Sequence, residues 1–276
     1  MVALPVAFLL IAIEGRGGVY VGVGSEQNYV LAGWARPEVL VLMDFDQVIA
    51  DLHRAYGAFF QAAKDAAELI DLWRPENEAR ALALLTAAYP DERVQRGVLR
   101  AYRIGRPAIP GRLEKLQRLL RAAGAPSFLD DPAHYAYLAG LWRAGRVFPV
   151  RGDLTADQAL RDVAAAARKS ALPVRVLYLS NAEKYFPYGP DFKRSVAALP
   201  FDERSLVLRT AARRLGHYFY IAQSGRDFQG FLRRPGIQTV YQIARLRDPA
   251  PEGELSQIRS RPRAEDRAPI PELRGP

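Results

Sequence analysis

The feature that most constrains the fold of this chain is a glycine turn between an apolar run and a polar helix start. Residues 19–28 read VYVGVGSEQN, so a β-branched run leads into Gly22 and Gly24. A second apolar run, residues 39–43, follows and ends on Asp44. This order of strand, glycine turn, helix and strand is typical of the first half of a nucleotide-binding α/β sheet.

The rest of the chain alternates between helical and strand patterns, with one long helical interruption. Further strands are predicted at residues 147–150, 174–179, 205–210 and 217–223, with residues 239–244 as a possible partner of the last. Helices are predicted at residues 27–35, with Ser25 as N-cap, from Gln47 to about Trp73, and at residues 155–170 and 191–198. Four more helices, at residues 76–88, 91–102, 112–123 and 132–143, precede the third strand. Because so long an αβ connection is unusual, we expect them to form an inserted cap.

The predicted domain organisation has four parts. They are an apolar segment at residues 1–14, an α/β domain at 15–74 and 146–247, the helical insertion at 75–145, and a tail at 248–276. The tail is rich in proline and charge without apolar periodicity, which predicts disorder. Residues 2–13 are too few to span a bilayer as a helix and lack the flanks of a signal peptide. A buried first helix or strand is favoured, and a clipped or misassigned start is the alternative.

Composition narrows the functional classes. The absence of cysteine excludes disulfides, zinc–thiolate sites, iron–sulfur clusters and a cysteine nucleophile. The three histidines are scattered, so no metal site is predicted. The net charge of +9 comes mostly from arginine, which a GC-rich genome or attraction to polyanions would explain. No basic run is interleaved with stacking aromatics, so nucleic acid is not expected as a partner. The expected location is the cytoplasm, or outside it if the apolar start is the remnant of a signal segment.

Small or polar residues end four of the predicted strands. In an open α/β sheet the ligand lies outside the carboxyl ends of the strands. Gly22 and Gly24 would let a ligand approach the backbone, or would serve a turn without a ligand. Asp44 would accept hydrogen bonds from ribose hydroxyls, or would cap the next helix. Asp153 would bind an adenine amino group, or would be an N-cap. The fourth strand is followed by Ser180, Asn181 and Glu183, where substrate chemistry would occur if they are not simply polar residues of a helix start.

The turn also limits which nucleotide fits. A dinucleotide fold needs a third glycine, where this chain has Gln27. Glu26 lies at the helix start, where its carboxylate would repel a pyrophosphate. The chain has no Walker lysine pattern. An adenosine ligand without phosphate, such as S-adenosylmethionine, fits better.

The segments GVYVGVGSEQN, VLVLMDFD, VRGDL and VLYLSNAEKYF, in this order, resemble an uncharacterised bacterial family with a class I S-adenosylmethionine-dependent methyltransferase-like fold. The resemblance covers roughly residues 15–235. It implies a Rossmann-like α/β fold: a mostly parallel sheet with flanking helices and a large helical insertion between strands two and three. The implied cofactor is S-adenosylmethionine, and no transmembrane span is expected. Gly22, Gly24, Asp44 and Asp153 match the wider methyltransferase pattern by position. The complete set of predicted cofactor contacts also includes Glu26, Gln27, Asn28 and Ser180.

Two functional hypotheses follow. The first is a methyltransferase acting on a small or peptidic substrate under the helical cap. Glu183 or Asn181 would orient the acceptor, and one of them would serve as general base. The second is a non-catalytic binding or scaffold protein. It is motivated by Tyr20, which stands where these enzymes usually carry an acid, and by the absence of a clear catalytic base.

Overall fold

A computed structural model of the protein describes residues 10, 12–212, 218–245 and 256–258. Within these residues, seven strands form one sheet in the order β3-β2-β1-β4-β5-β6-β7. They are β1 (Val19–Val23), β2 (Val39–Asp44), β3 (Val147–Arg151), β4 (Val174–Tyr178), β5 (Leu206–Ala212), β6 (Tyr218–Ser224) and β7 (Ser256–Ile258). The first five strands are parallel, β6 is antiparallel to β5, and β7 is parallel to β6.

Helices precede, separate and cover these strands. They are α1 (Gln27–Ala35), α2 (Gln47–Ala62), α3 (Ala66–Asp71), α4 (Glu78–Ala88), α5 (Glu92–Gly105), α6 (Ile109–Ala122), α7 (Pro132–Arg143), α8 (Ala159–Lys169), α9 (Pro190–Ala197), α10 (Gly225–Leu232) and α11 (Val240–Ala244). Short 3-10 helices occupy Pro75–Asn77 and Ala182–Tyr185. Helices α2 to α7 all lie between β2 and β3 in the chain.

The sheet is covered by helices on both faces. Side chains alternate along β1, so Tyr20 packs in one hydrophobic cluster while Val19, Val21 and Val23 pack in the other. Helices α1 to α7 contribute to the Tyr20 cluster, and α8 to α11 contribute to the opposite one. All five residues of β1 are buried, which explains their continuous apolar run.

The predicted α/β class, with a mostly parallel sheet and flanking helices, is confirmed. The helices of residues 78–143 share one core cluster with α1, α2 and the sheet. They therefore cover one face of the sheet as part of a continuous core. The Rossmann-like identity of the fold and the role of these helices as a cap stay predictions.

Several predicted element boundaries are wrong, because local hydrogen bonds override the apolar pattern. The helix predicted from Gln47 to Trp73 breaks after Ala62, and Asp65 caps the next helix by accepting from the Glu68 amide at 2.9 Å. Residues 239–244, predicted as a possible strand, contain helix α11 behind a Thr239 capping box. The helix predicted from residue 155 begins only at Ala159.

The two ends of the chain are only partly described. Leu10 and Ile13 are fully buried in the Tyr20 cluster, and the other apolar residues predicted as a buried first element lie largely outside the described residues. Residues 256–258, predicted to belong to a disordered tail, form β7 at the edge of the sheet. The rest of that predicted tail lies outside the described residues. No helix in the described part of the chain has the length and apolar character needed to cross a membrane.

Candidate functional site

The order of the strands reverses at β1. The chain passes from β1 to β2 and β3 on one side, and then returns to place β4 on the other side of β1. Such a reversal opens a crevice outside the carboxyl ends of the strands, which is where ligands bind in open α/β sheets. Gly24, Asp44 and Ser180 follow or end β1, β2 and β4 at this edge.

The two glycines of the turn have different surroundings. A Cβ at Gly22 would lie 1.9 Å from Asn28 Oδ1 and 2.5 Å from Tyr20 Cε1, so this glycine is needed for packing inside the protein. Gly24 has φ +93°, a conformation that favours glycine, and no atom lies within 4 Å of an added Cβ. Only the second glycine therefore leaves the backbone open to a ligand, whereas both were predicted to do so.

Asn28 holds the turn together. Its side chain is fully buried, and its amide nitrogen donates to the carbonyl oxygens of Val23, Gly24 and Ser25 at 3.3, 3.1 and 3.1 Å. Its Oδ1 accepts from the Tyr20 hydroxyl at 3.0 Å. Both N–H groups of this amide and one of the two lone pairs on Oδ1 are thus used within the protein. Asn28 therefore shapes the turn, and its predicted contact with a cofactor stays a prediction.

Glu26 is 8% exposed and lies at the N-cap of α1. Its Oε2 accepts from the Ser25 hydroxyl at 2.6 Å, and its Oε1 accepts from the Tyr56 hydroxyl at 3.2 Å and pairs with Arg112 of α6. Ser25, predicted as the N-cap, therefore bonds the neighbouring carboxylate rather than the helix backbone. The ion pair with Arg112 joins the helices between β2 and β3 to the glycine turn.

His53 supports the turn from α2, although the sequence analysis assigned it no role. Its Nε2 donates to the Gly24 carbonyl oxygen at 2.8 Å, because a carbonyl can only accept. Its Nδ1 must then accept from the Tyr29 hydroxyl, also at 2.8 Å. Burial lowers the pKa of His53 to about 4, so the ring is neutral near pH 7. A signal was present in the sequence, since His53 shares the α2 face that carries Tyr56 and Phe60.

Asp44 ends β2 beside the open turn. Its carboxylate accepts from the Asp46 amide at 3.0 Å and lies in hydrogen-bonding contact with the backbone of Gly24 and Phe45. Partial burial raises the pKa of Asp44, and the hydrogen bonds from the backbone oppose part of this rise. The Phe45 ring, 65% exposed, projects next to it and has the Arg151 guanidinium 5.9 Å from its centroid. A half-buried carboxylate thus adjoins the glycine turn, and the residue after it carries an exposed aromatic ring.

Two other predicted cofactor contacts contribute less. Asp153 accepts from the Thr155 amide at 2.8 Å and from the Thr155 hydroxyl at 2.7 Å, which closes a turn before α8. This arrangement is close to the capping alternative, although the turn lies outside the helix. Gln27 begins α1, is half-buried and makes no side-chain hydrogen bond within the described residues.

The segment after β4 has one strained and one open residue. Ser180 has φ +51°, an uncommon conformation for a residue other than glycine, and its carbonyl accepts from the Thr210 amide at 2.7 Å. Asn181 is half-buried, and its side chain makes no hydrogen bond to any residue that the structure describes. Its amide can therefore donate to and accept from a ligand.

Glu183 is 2% exposed and bonded on both carboxylate oxygens. Oε1 accepts from the Tyr188 hydroxyl at 2.5 Å, and Oε2 accepts from Arg209 Nε at 2.5 Å. Arg209, in β5, is 1% exposed, donates to Gln223 Oε1 at 3.0 Å and stacks on the Phe228 ring. Glu183 was predicted as a candidate catalytic residue, but its contacts are those of a buried ion pair. The signal missed in the sequence is a single arginine inside the apolar run of β5.

The chain matches a model of a protein family. A family model described as Domain of unknown function (DUF7790) matches residues 7–258, a range that includes every strand and helix of the structure. No curated protein matches the chain.

Proposed function

This chain belongs to the DUF7790 family, and we propose that it binds S-adenosylmethionine at the carboxyl edge of its sheet and uses it for methyl transfer. The observation that carries the proposal is the open Gly24 turn beside the half-buried Asp44 carboxylate. In this proposal the fold is Rossmann-like, and the helices between β2 and β3 act as the cap. The ion pair between Arg112 and Glu26 supports that placement of the cap.

The chemistry of the edge fits an adenosine without phosphates. Asp44 keeps acceptor capacity for ribose hydroxyls, because a carboxylate offers about four lone-pair sites. Phe45 offers an exposed aromatic face on which a base can stack. Glu26 places a negative charge at the start of α1, which opposes binding of a pyrophosphate there.

When bound, S-adenosylmethionine would supply an activated methyl group. The chain's own residues would then have to align the acceptor and exclude water. Asn181 is the best candidate for orienting a small or peptidic acceptor, since its side-chain amide has no partner among the described residues. Glu183 is 2% exposed and its carboxylate already bonds Tyr188 and Arg209, so an acceptor has little access to it and one that is nucleophilic without a general base fits best.

A second candidate is a non-catalytic protein that binds the same ligand. The commitment of Glu183 to a buried ion pair with Arg209 favours it, because a carboxylate held in this way is a poor general base. The Tyr20 hydroxyl favours it as well, since it bonds Asn28 inside the protein.

Calorimetry with S-adenosylhomocysteine tests the binding step. We expect Asp44→Asn to weaken binding about tenfold to a hundredfold, because hydrogen bonds to a charged group contribute about 1.5–3 kcal/mol. The matched control is Asp46→Asn, which makes the same change two residues away. Asp46 caps α2 by accepting from the Val48 amide at 2.9 Å, and asparagine caps equally well. Absence of heat at millimolar ligand, or equal losses in both variants, contradicts the proposal.

Transfer from methyl-labelled S-adenosylmethionine into a cell extract separates the two candidates. A methyltransferase would label a product, and Asn181→Ala would reduce that labelling while leaving the affinity for S-adenosylhomocysteine within about twofold. Ligand binding without any transfer would favour the non-catalytic candidate.

A further inference from the structure

The positive charge of the chain is concentrated in two consecutive helices. Residues 91–122, which contain α5 and α6, carry nine Lys and Arg against three Asp and Glu. This net charge of +6 is two thirds of the +9 of the whole chain, in 32 of its 276 residues. A GC-rich composition would spread arginine over the chain, so it does not by itself explain this concentration.

Four arginines of α5 form a stripe on one face of the helix. Arg93, Arg96, Arg100 and Arg103 follow one another at intervals of three, four and three residues, and all are exposed. Arg96 pairs with Glu92 at 3.2 Å, and both side chains of this pair are solvent-exposed. The other three make no ion pair or hydrogen bond with any residue in the described part of the chain.

The opposite face of α5 fixes the stripe in place. Val98, Ala101 and Tyr102 are fully buried, and the Tyr102 hydroxyl donates to the Leu72 carbonyl at 3.1 Å. A Cβ at Gly97 would lie 2.5 Å from Asp51 Oδ2, so α5 packs tightly on α2. The arginines are therefore held on a rigid helix. Their helix has no free apolar face to insert into a lipid bilayer.

We propose that this arginine stripe binds the phosphate backbone of a nucleic-acid duplex without reading its sequence. The stripe is about 15 Å long, since ten residues of helix rise about 1.5 Å each. Guanidinium groups bind phosphate oxygens in a bidentate manner, and three of these four have no competing carboxylate within the described residues. Lys115 and Arg118 of α6 are exposed as well.

A duplex fits this surface better than a single strand does. Proteins that bind single strands use exposed aromatic side chains on which bases stack. The large exposed apolar residues of α5 and α6 are Ile104 and Leu119, and neither is aromatic. Contacts limited to phosphates position a duplex but carry no sequence information. This proposal does not rest on the binding of S-adenosylmethionine.

Fluorescence anisotropy with a labelled DNA duplex of arbitrary sequence tests the proposal. The test variant replaces Arg93, Arg100 and Arg103 with glutamine. The control variant replaces three arginines with glutamine on the helices that cover the other face of the sheet, so it removes the same charge. These arginines are 54–56% exposed and each forms an ion pair: Arg161 on α8, Arg194 on α9 and Arg226 on α10.

We expect the test variant to bind the duplex at least about tenfold more weakly than the wild type. The slope of log K, the association constant, against log salt concentration should become shallower by about three, one for each lost phosphate contact. The control variant should stay within about twofold of the wild type, because its charges lie on the other face of the sheet. Replacing the same three stripe arginines with lysine should restore most of the salt dependence.

Four results would overturn the proposal. They are no duplex binding by the wild-type chain at low salt, equal losses in the test and control variants, tighter binding of a single strand than of the duplex, and retention by phosphatidylserine vesicles without retention by the duplex. The second would show that net charge alone attracts the duplex, and the last two would assign the stripe to a different partner.

Discussion

Acidification should destabilise this protein through His53, which is buried and neutral in the folded state. The folded-state pKa of His53 is lowered to about 4 by burial, from an ordinary value of 6.5. As the pH falls, the unfolded chain therefore takes up a proton before the folded chain does. The stability contributed by neutral His53 is fully present above pH 6.5 and is lost as the pH falls towards 4.

The size of the effect follows from the two pKa values. Each unit of pKa difference corresponds to about 1.4 kcal/mol, so the full loss is about 3 kcal/mol, of which about 2.5 kcal/mol appears by about pH 4.5. Protonation would also convert Nδ1 from an acceptor into a donor facing the Tyr29 hydroxyl. The Nε2 donor to the Gly24 carbonyl is kept in both protonation states, so the loss comes from burying the charged ring.

Urea unfolding of the wild type and of His53→Gln, at about pH 7.5 and about pH 4.5, measures the contribution of His53 to the loss of stability with falling pH. Glutamine can still donate to the Gly24 carbonyl but does not titrate, and carboxylates elsewhere contribute equally to both proteins. The wild type should therefore lose about 2.5 kcal/mol more than the variant. His134→Gln is the control, because that ring is less deeply buried than the ring of His53. A wild-type loss within about 0.5 kcal/mol of the His53→Gln loss would refute the reasoning.

Two further substitutions test the packing of the candidate site. Gly22→Ala should reduce the free energy of unfolding by about 3 kcal/mol, measured in urea, because its Cβ would overlap Asn28 Oδ1; an unchanged midpoint would show that the turn relaxes freely. Glu183→Gln should cost about 3–5 kcal/mol, because Arg209 would be left buried without its counter-charge, whereas Glu203→Gln in an exposed pair should cost at most about 1 kcal/mol. Equal losses in the two glutamate variants would mean that the buried pair is not stabilising.

The parts of the fold that depend on burial were predictable from the sequence. Strand β1 has the predicted bounds, Val19–Val23, because a parallel strand covered on both faces is apolar throughout. Helix α7 also has its predicted bounds, since Asp131 caps it and Pro132 occupies its first turn. The α11 segment was predicted as a possible strand because its residues are β-branched and aromatic, but a capping box sets the helix. Tertiary context decides such short segments.

The candidate site was predictable in position but not in the roles of its residues. Parallel strands end at a common edge, so the sequence order alone brings Gly24, Asp44 and Ser180 together. Which polar groups remain available depends on partners that are distant in the chain. Glu26 meets Arg112, 86 residues away, and Glu183 meets Arg209, 26 residues away. No local pattern reveals such pairs.

Burial separates the polar residues of the edge into two kinds. A buried charge costs several kcal/mol unless it is paired, so an acid at a strand end that is fully buried must already have partners. Glu26 and Glu183 fit this rule, since both carboxylates are bonded within the protein. Only half-buried groups, such as Asp44 and Asn181, can exchange water for a ligand at low cost. Substitutions at these two positions should therefore change ligand binding or transfer without unfolding the chain, whereas substitution of either buried glutamate should change stability first.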